Sequence, residues 1–264
     1  MFQWFVNLPH PIQAFIATLI TWGITACGAA VVFLFKKVNK NTLDAMLGLS
    51  AGVMIAATFW SLLSPAIEMA NELNMISWLV VALGVLSGGL LLFIGDKIFS
   101  KMTRKKEKSN SIKRSLMLIF SITLHNIPEG MAIGVAFGAI SYNLEGSTLM
   151  AAIMLAIGIG IQNFPEGSAV SLPLRREGMS PKQAFLWGNL SGIVEPIAGV
   201  IGALLVIKIR FLLPILLAFA GGAMIYVVVQ ELIPESQSNK KKDLMALFTI
   251  IGFIIMMVFD VALG

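Results

Sequence analysis

Charge is scarce in this sequence. Only 12% of its 264 residues are Asp, Glu, Lys or Arg, about half of the ~25% usual in soluble domains. A soluble enzyme surface is hard to build from so little charge. Cysteine is scarcer still. The lone Cys27 cannot close an internal disulfide, and it excludes a multi-cysteine metal site. The N-terminal stretch MFQWFVNLPHP has no basic region ahead of the first apolar run, so that run is not expected to be a cleaved signal peptide. The centres of the apolar runs also lack Lys and Arg.

What is present is hydrophobic residue, 57% of the chain. Crossing ~30 Å of hydrocarbon takes about 20 apolar residues. Eight runs meet that length, at about 12–35, 43–69, 76–99, 115–140, 148–171, 183–206, 211–234 and 244–263. They use nearly the whole chain, so residues 1–264 are expected to form a single transmembrane domain. The net charge of +5 does not point to nucleic acid, because the basic residues sit in the loops. If eight spans alternate, seventeen of the nineteen Lys and Arg fall on one side, and only Lys208 and Arg210 on the other. The positive-inside bias then places both termini outside and the basic loop 97–114 in the cytoplasm, where it serves as an orientation anchor. The expected location is a plasma membrane, multi-pass in the lipid bilayer.

Two internal repeats organise the chain. LHNIPEGMA at 124–132 matches IQNFPEGSA at 161–169, 37 residues on, with Asn, Pro, Glu, Gly and Ala in register. SAGVMIA at 50–56 matches AGGAMIY at 220–226 more weakly. The paired spans run in opposite directions. The expected fold is therefore an all-α integral membrane protein of eight transmembrane helices, with an inverted repeat of spans 1–3 and 6–8 around a central antiparallel pair, spans 4 and 5. Inverted repeats with interrupted helices and midplane sites are characteristic of secondary transporters.

A charged side chain at the bilayer centre costs about 2.5–3.5 kcal/mol on insertion scales. Glu129, Glu166 and Glu195 all lie near mid-span, and Glu231 toward the inner end of the seventh. With no basic partner in the helix centres, these carboxylates must hold protons, face water or bind a cation. His125 and Glu129 are four apart, on one helical face, and Gln162 and Glu166 repeat the spacing. Asn126 and Asn163 stand beside them. Pro128 and Pro165 lack an N–H and free the carbonyls of Leu124 and Ile161, so both helices are expected to break there. Gly130 and Gly167 are expected to let those two helices approach each other. The resulting nitrogen and oxygen donors, without thiolate, suit ions such as Zn²⁺, Fe²⁺ or Mn²⁺. Desolvation disfavours charged carboxylates, so metal entry is expected to displace protons.

HNIPEG in the fourth span, QNFPEGSAVSLPLRREG in the fifth and LSGIVEPIAG in the sixth resemble the ZIP (Zrt-, Irt-like) family of divalent metal transporters, within it the bacterial GufA-like branch. The resemblance covers essentially the whole chain. It implies a binuclear centre, with His125, Glu129, Gln162 and Glu166 in one site, Asn126, Asn163 and Glu195 in the other, and Glu129 and Glu166 bridging. Met54 matches a position where the family can supply a thioether ligand. The resemblance also implies import of Zn²⁺ toward the cytoplasm, with Fe²⁺, Mn²⁺ and Cd²⁺ as further substrates and no resident cofactor. It implies a bacterial inner membrane as the location and is compatible with a homodimer. Gln162 stands where many members have a second histidine, and the long loop lacks a histidine-rich tract.

Glu231 is a candidate exit ligand. Glu68, near the outer end of span 2, is a candidate for attracting cations at the entrance, although plain solvation explains it as well. Two other classes compete with metal transport: a proton-coupled carrier of a small organic solute, and an intramembrane metalloenzyme. The enzyme lacks a spare general base between its two ligands.

Overall fold

The computed structural model describes residues 3–34, 39–104, 110–142, 147–176 and 178–263. The side chain of His125, and those of most residues between 99 and 122, lie outside the described residues. The described chain is nearly all helix. A short α1 (Gln3–Val6) leads into α2 (His10–Leu34), followed by α3 (Lys40–Ala57), α4 (Ser64–Glu72), α5 (Ser77–Arg104), α6 (Asn110–Ala139) and α7 (Leu149–Arg176). Then come α8 (Pro181–Ser191), α9 (Val194–Lys208), α10 (Leu213–Val227), α11 (Ile233–Gln237) and α12 (Lys242–Leu263).

Seven segments among the described residues are long and apolar enough to cross a membrane: α2, α3–α4, the apolar part of α5, α7, α8–α9, α10–α11 and α12. The remaining expected span, 115–140, falls within α6, a continuous helix of 30 residues, but for Ile140, which opens the turn that follows. The loop expected at 97–114 is much shorter than its composition suggests. Helix α5 continues through Arg104 and α6 starts at Asn110, while residues 105–109 lie outside the described residues. Basic residues form good helix once nucleated, so polarity there marks the end of the hydrocarbon and not the end of the helix.

The helices do not break where the sequence suggested. Both α6 and α7 run straight through Pro128 and Pro165. The interruptions lie in the flanking repeats. Spans 2 and 7 each contain a π-helical turn, Thr58–Leu63 and Val228–Leu232. Each is followed at once by a proline in the first turn of the next helix. Proline cannot donate to the carbonyl four residues back and its ring crowds that carbonyl. The backbone responds with a bond of wider reach, Ser64 N–H to Phe59 O and Ile233 N–H to Val228 O. Span 6 is interrupted between Ser191 and Val194, one residue before Glu195.

Packing follows the repeat. The most extensive helix pairs are α2 with α7, α6 with α9, α3 with α12, and α5 with α10. Exchanging span 1 with 6, 2 with 7, 3 with 8 and 4 with 5 turns each of these pairs into another. The glycine contacts show the same exchange residue by residue. A Cβ on Gly52 would collide with the Thr249 carbonyl, and one on Gly252 with the Leu49 carbonyl. Gly222 against Val85 and Gly88 against Phe219 repeat that reciprocal pair. Such close backbone approach replaces the hydrophobic drive that lipid cannot supply.

Candidate metal centre

The site is built where α6 and α7 meet the interrupted span 6 and the middle of α2. Asn126, Glu129, Gln162, Asn163 and Glu195 are completely buried, and Glu166 is 4% exposed. The glycines after the two Pro-Glu pairs do not bring α6 and α7 together, contrary to expectation. A Cβ on Gly130 would meet the backbone of Glu195 on α9, and one on Gly167 the backbone of Thr25 on α2. Each central helix is seated against a flanking one, and this seating brings α2 and α9 to the carboxylates.

The break in span 6 disturbs the regular carbonyl ladder, with Asn189 keeping only a 3.3 Å bond from the Gly192 N–H, and other helices supply donors there. The Asn126 Nδ2 donates to the Ser191 carbonyl at 2.9 Å. The Trp22 indole donates to the Asn189 carbonyl at 2.8 Å. Gly192 sits in the break because a Cβ there would stand 2.9 Å from the Trp22 ring and 3.1 Å from a Glu195 carboxylate oxygen.

All three amides at the centre use their nitrogens the same way. The Gln162 Nε2 donates to Glu129 Oε1 at 2.6 Å. The Asn163 Nδ2 bridges both Glu195 oxygens, at 3.0 and 2.9 Å. Asn126 uses its nitrogen on Ser191. Their carbonyl oxygens are left over. At this centre six buried oxygens have no hydrogen-bond partner among the described residues: Asn126 Oδ1, Glu129 Oε2, Gln162 Oε1, Asn163 Oδ1 and both oxygens of Glu166. Leaving one buried polar atom unpartnered costs of order 1–3 kcal/mol. A set made entirely of acceptors fits a cation or added protons and cannot pair with itself. Glu129 lies within electrostatic reach of Glu166 and Glu195.

The remaining candidates are placed as follows. Among the described residues, no three His, Cys, Asp or Glu side chains stand close enough to hold one metal between them, so the acceptor set depends on the amides. The His125 side chain lies outside the described residues. Met54 is fully buried in α3 within the hydrophobic core. Glu231, in the π turn of span 7, is half-buried and interacts electrostatically with Glu166. Glu68 accepts from Ser64 Oγ at 3.2 Å and lines a cavity together with Trp60, Ser61, Ser64 and Asp260.

Two residues of the centre escaped sequence reasoning. Thr21 Oγ1 donates to Glu195 Oε2 at 2.6 Å, and Thr25 Oγ1 to Glu195 Oε1 at 3.4 Å. Their signal was faint: Thr25 and Glu195 stand 170 positions apart, the same offset as Gly52 and Gly222.

The profile of the family described as "ZIP Zinc transporter" matches residues 101–260. Zinc transporter ZIP11 of Xenopus tropicalis is 38% identical, over 96% of this chain and 98% of its own length. Zinc transporter GufA of Myxococcus xanthus is 34% identical, over 94% and 98%. Zinc transporter ZIPB of Bordetella bronchiseptica is 34% identical, over 98% and 84%. With similarity running end to end and the acceptor-rich centre inside the matched region, the chain belongs to the ZIP zinc transporter family.

Proposed function

We propose that this protein is a multi-pass membrane carrier of divalent metal ions, zinc foremost, and not an enzyme. Fe²⁺, Mn²⁺ and Cd²⁺ are the secondary substrates. The ion passes through a binuclear centre between spans 4, 5 and 6 on its way into the cytoplasm. His125, Glu129, Gln162 and Glu166 hold one ion and Asn126, Asn163 and Glu195 support the other, with Glu129 and Glu166 shared. Glu231 takes the ion at the inner end.

The observation that carries this reading is the set of six buried oxygens at the centre that have no partner among the described residues. An organic cation would bring its own N–H donors but would need room. A small divalent ion needs only oxygen ligands closing around it, at about 2.0–2.2 Å for zinc and carboxylate. The donors also suit the borderline and hard ions of the first transition row better than soft monovalent copper. Metal entry replaces protons on the carboxylates, so transport and proton movement are linked.

The test is zinc uptake into proteoliposomes, together with calorimetry of the detergent-purified protein. The wild type is expected to bind zinc, to release protons on binding and to accumulate zinc in the vesicles. Glu129→Ala and Glu166→Ala are expected to lose both binding and uptake. Uptake of zinc unchanged in both variants would overturn the site, and no metal response from the wild type would overturn the function.

A further inference from the structure

Glu195 differs from the other two carboxylates of the centre. Both oxygens of Glu166 are unpartnered, and so is one of Glu129, whereas both oxygens of Glu195 are occupied. Oε2 accepts from Thr21 at 2.6 Å and from Asn163 at 2.9 Å; Oε1 accepts from Asn163 at 3.0 Å, with the Thr25 hydroxyl 3.4 Å away and shared with the Thr21 carbonyl at 3.2 Å. The Thr21 carbonyl also lies 3.3 Å from the Asn163 amide nitrogen. Thr21 and Thr25 are each 1% exposed and stand four apart on one face of α2. Each hydroxyl also reaches its own helix backbone, Thr21 the Thr18 carbonyl at 3.1 Å and Thr25 the Thr21 carbonyl at 3.2 Å, the contact that selects a helical threonine rotamer.

We propose that Thr21 and Thr25 are positioning residues for the transported ion: they hold Glu195 against Asn163, so that Asn163 offers its carbonyl oxygen and not its NH₂ to the cation. The inference rests on the metal-carrier reading above and deepens it. An amide can point either end at a site. The NH₂ end repels a cation and the oxygen end binds it. With Glu195 clamped, the NH₂ end has two carboxylate acceptors on one side, and Asn163 Oδ1 remains buried and unpartnered on the other. Beside its own place in the second site, Glu195 thus orients Asn163 while the two hydroxyls hold it. The inverted repeat supplies the reason that α2 can do this. Thr25 occupies the position in span 1 that Glu195 occupies in span 6, and Gly130 and Gly167 seat the two residues' backbones in the same way. A hydroxyl facing a carboxylate across the repeat makes a hydrogen bond where two carboxylates would repel.

Valine keeps the shape of threonine and deletes the hydroxyl. The experiment measures initial zinc uptake against zinc concentration in proteoliposomes, normalised to inserted protein, for the wild type, Thr21→Val, Thr25→Val and Thr21→Ser. Zinc binding by calorimetry is measured on the same preparations. Loss of a group that orients a metal ligand typically costs 10- to 100-fold in affinity or activity. Thr21→Val is expected to raise KM and weaken zinc binding by roughly that factor. Thr25→Val, with the longer bond, is expected to do so less, and Thr21→Ser to restore wild-type behaviour. If Thr21→Val does not insert, Thr21→Ala replaces it, and a wild-type KM there overturns the clamp. Valine variants with wild-type KM and binding overturn it, as does Thr21→Ser behaving like Thr21→Val. A wild type that takes up no divalent metal sinks the transport reading instead, so the two failures are distinguishable.

Discussion

Gly130→Ala tests whether the seating of α6 against α9 sets the geometry of the centre. An added Cβ would stand 2.7 Å from the Glu195 Cα and 2.9 Å from its carbonyl carbon, with the carbonyl oxygen nearer still. Ordinary contact begins at 3.4 Å, so α9 must withdraw by at least about 0.7 Å. The obstacle is backbone, which cannot rotate aside. Overpacking of this kind costs about 1–3 kcal/mol in stability, which the helix bundle can absorb. The centre is less tolerant, since ligand constellations must be held within about 0.5 Å of working geometry. The displaced residue is Glu195 itself, and Asn163 is hydrogen-bonded to its carboxylate. Zinc uptake per inserted molecule is therefore expected to fall at least about tenfold, the scale for disturbing groups that orient metal ligands, while thermal stability falls modestly. Gly23→Ala is the control, because a Cβ there has nothing within 4 Å. Both variants are compared by proteoliposome uptake and thermal unfolding in detergent. Full uptake by Gly130→Ala would refute the claim that this contact governs the site.

Gln162→His exchanges an amide oxygen for an imidazole nitrogen, the better zinc ligand; competition uptake is expected to shift the zinc-to-manganese preference toward zinc. Trp22→Phe removes the shorter of two bonds to the Asn189 carbonyl at the span 6 break, leaving that from Gly192 N–H. Hydrogen bonds between membrane helices average about 0.6 kcal/mol and reach about 1.7, so a small drop in thermal stability is expected, and no change in melting would count against the cap. Asp44→Ala removes a fully buried carboxylate that accepts from Asn239 at 2.7 Å and Lys40 at 2.9 Å. Since the Lys40 side chain is 50% exposed, its ion pair contributes little. The expected loss, of about 1–3 kcal/mol, comes mainly from Asn239 and is read by thermal unfolding.

Glu129, Glu166 and Glu195 were legible because cost is local: a carboxylate in an apolar run needs a reason wherever the helix goes. Gln162, four residues before Glu166, was legible from helical periodicity, and the doubled motif tied the two runs together, while the His125 side chain lies outside the described residues. The prolines misled. Pro128 and Pro165 stay within continuous helices, while Pro65 and Pro234 follow π turns and Gly192–Ile193 interrupts span 6. Proline requires only that one backbone bond be absent. Whether a helix bends, widens or stops depends on what packs beside it. Thr21 and Thr25 gave no local signal, because a threonine in a membrane helix can satisfy its hydroxyl on its own backbone, as Thr18 does with the Ala14 carbonyl at 2.7 Å.

Composition and periodicity by themselves determined that this chain is a helical membrane protein, that its two halves are related, and that its expensive carboxylates gather in the repeated motif and the sixth span. Those properties follow from transfer energies and helix geometry, which act over a few neighbouring residues. Tertiary structure alone decided which helices touch, that Gly130 and Gly167 face α9 and α2 instead of each other, and which way each amide points. These depend on contacts between residues as distant as Thr21 and Glu195, where shape complementarity and shared hydrogen bonds select one arrangement among many that the same local pattern permits.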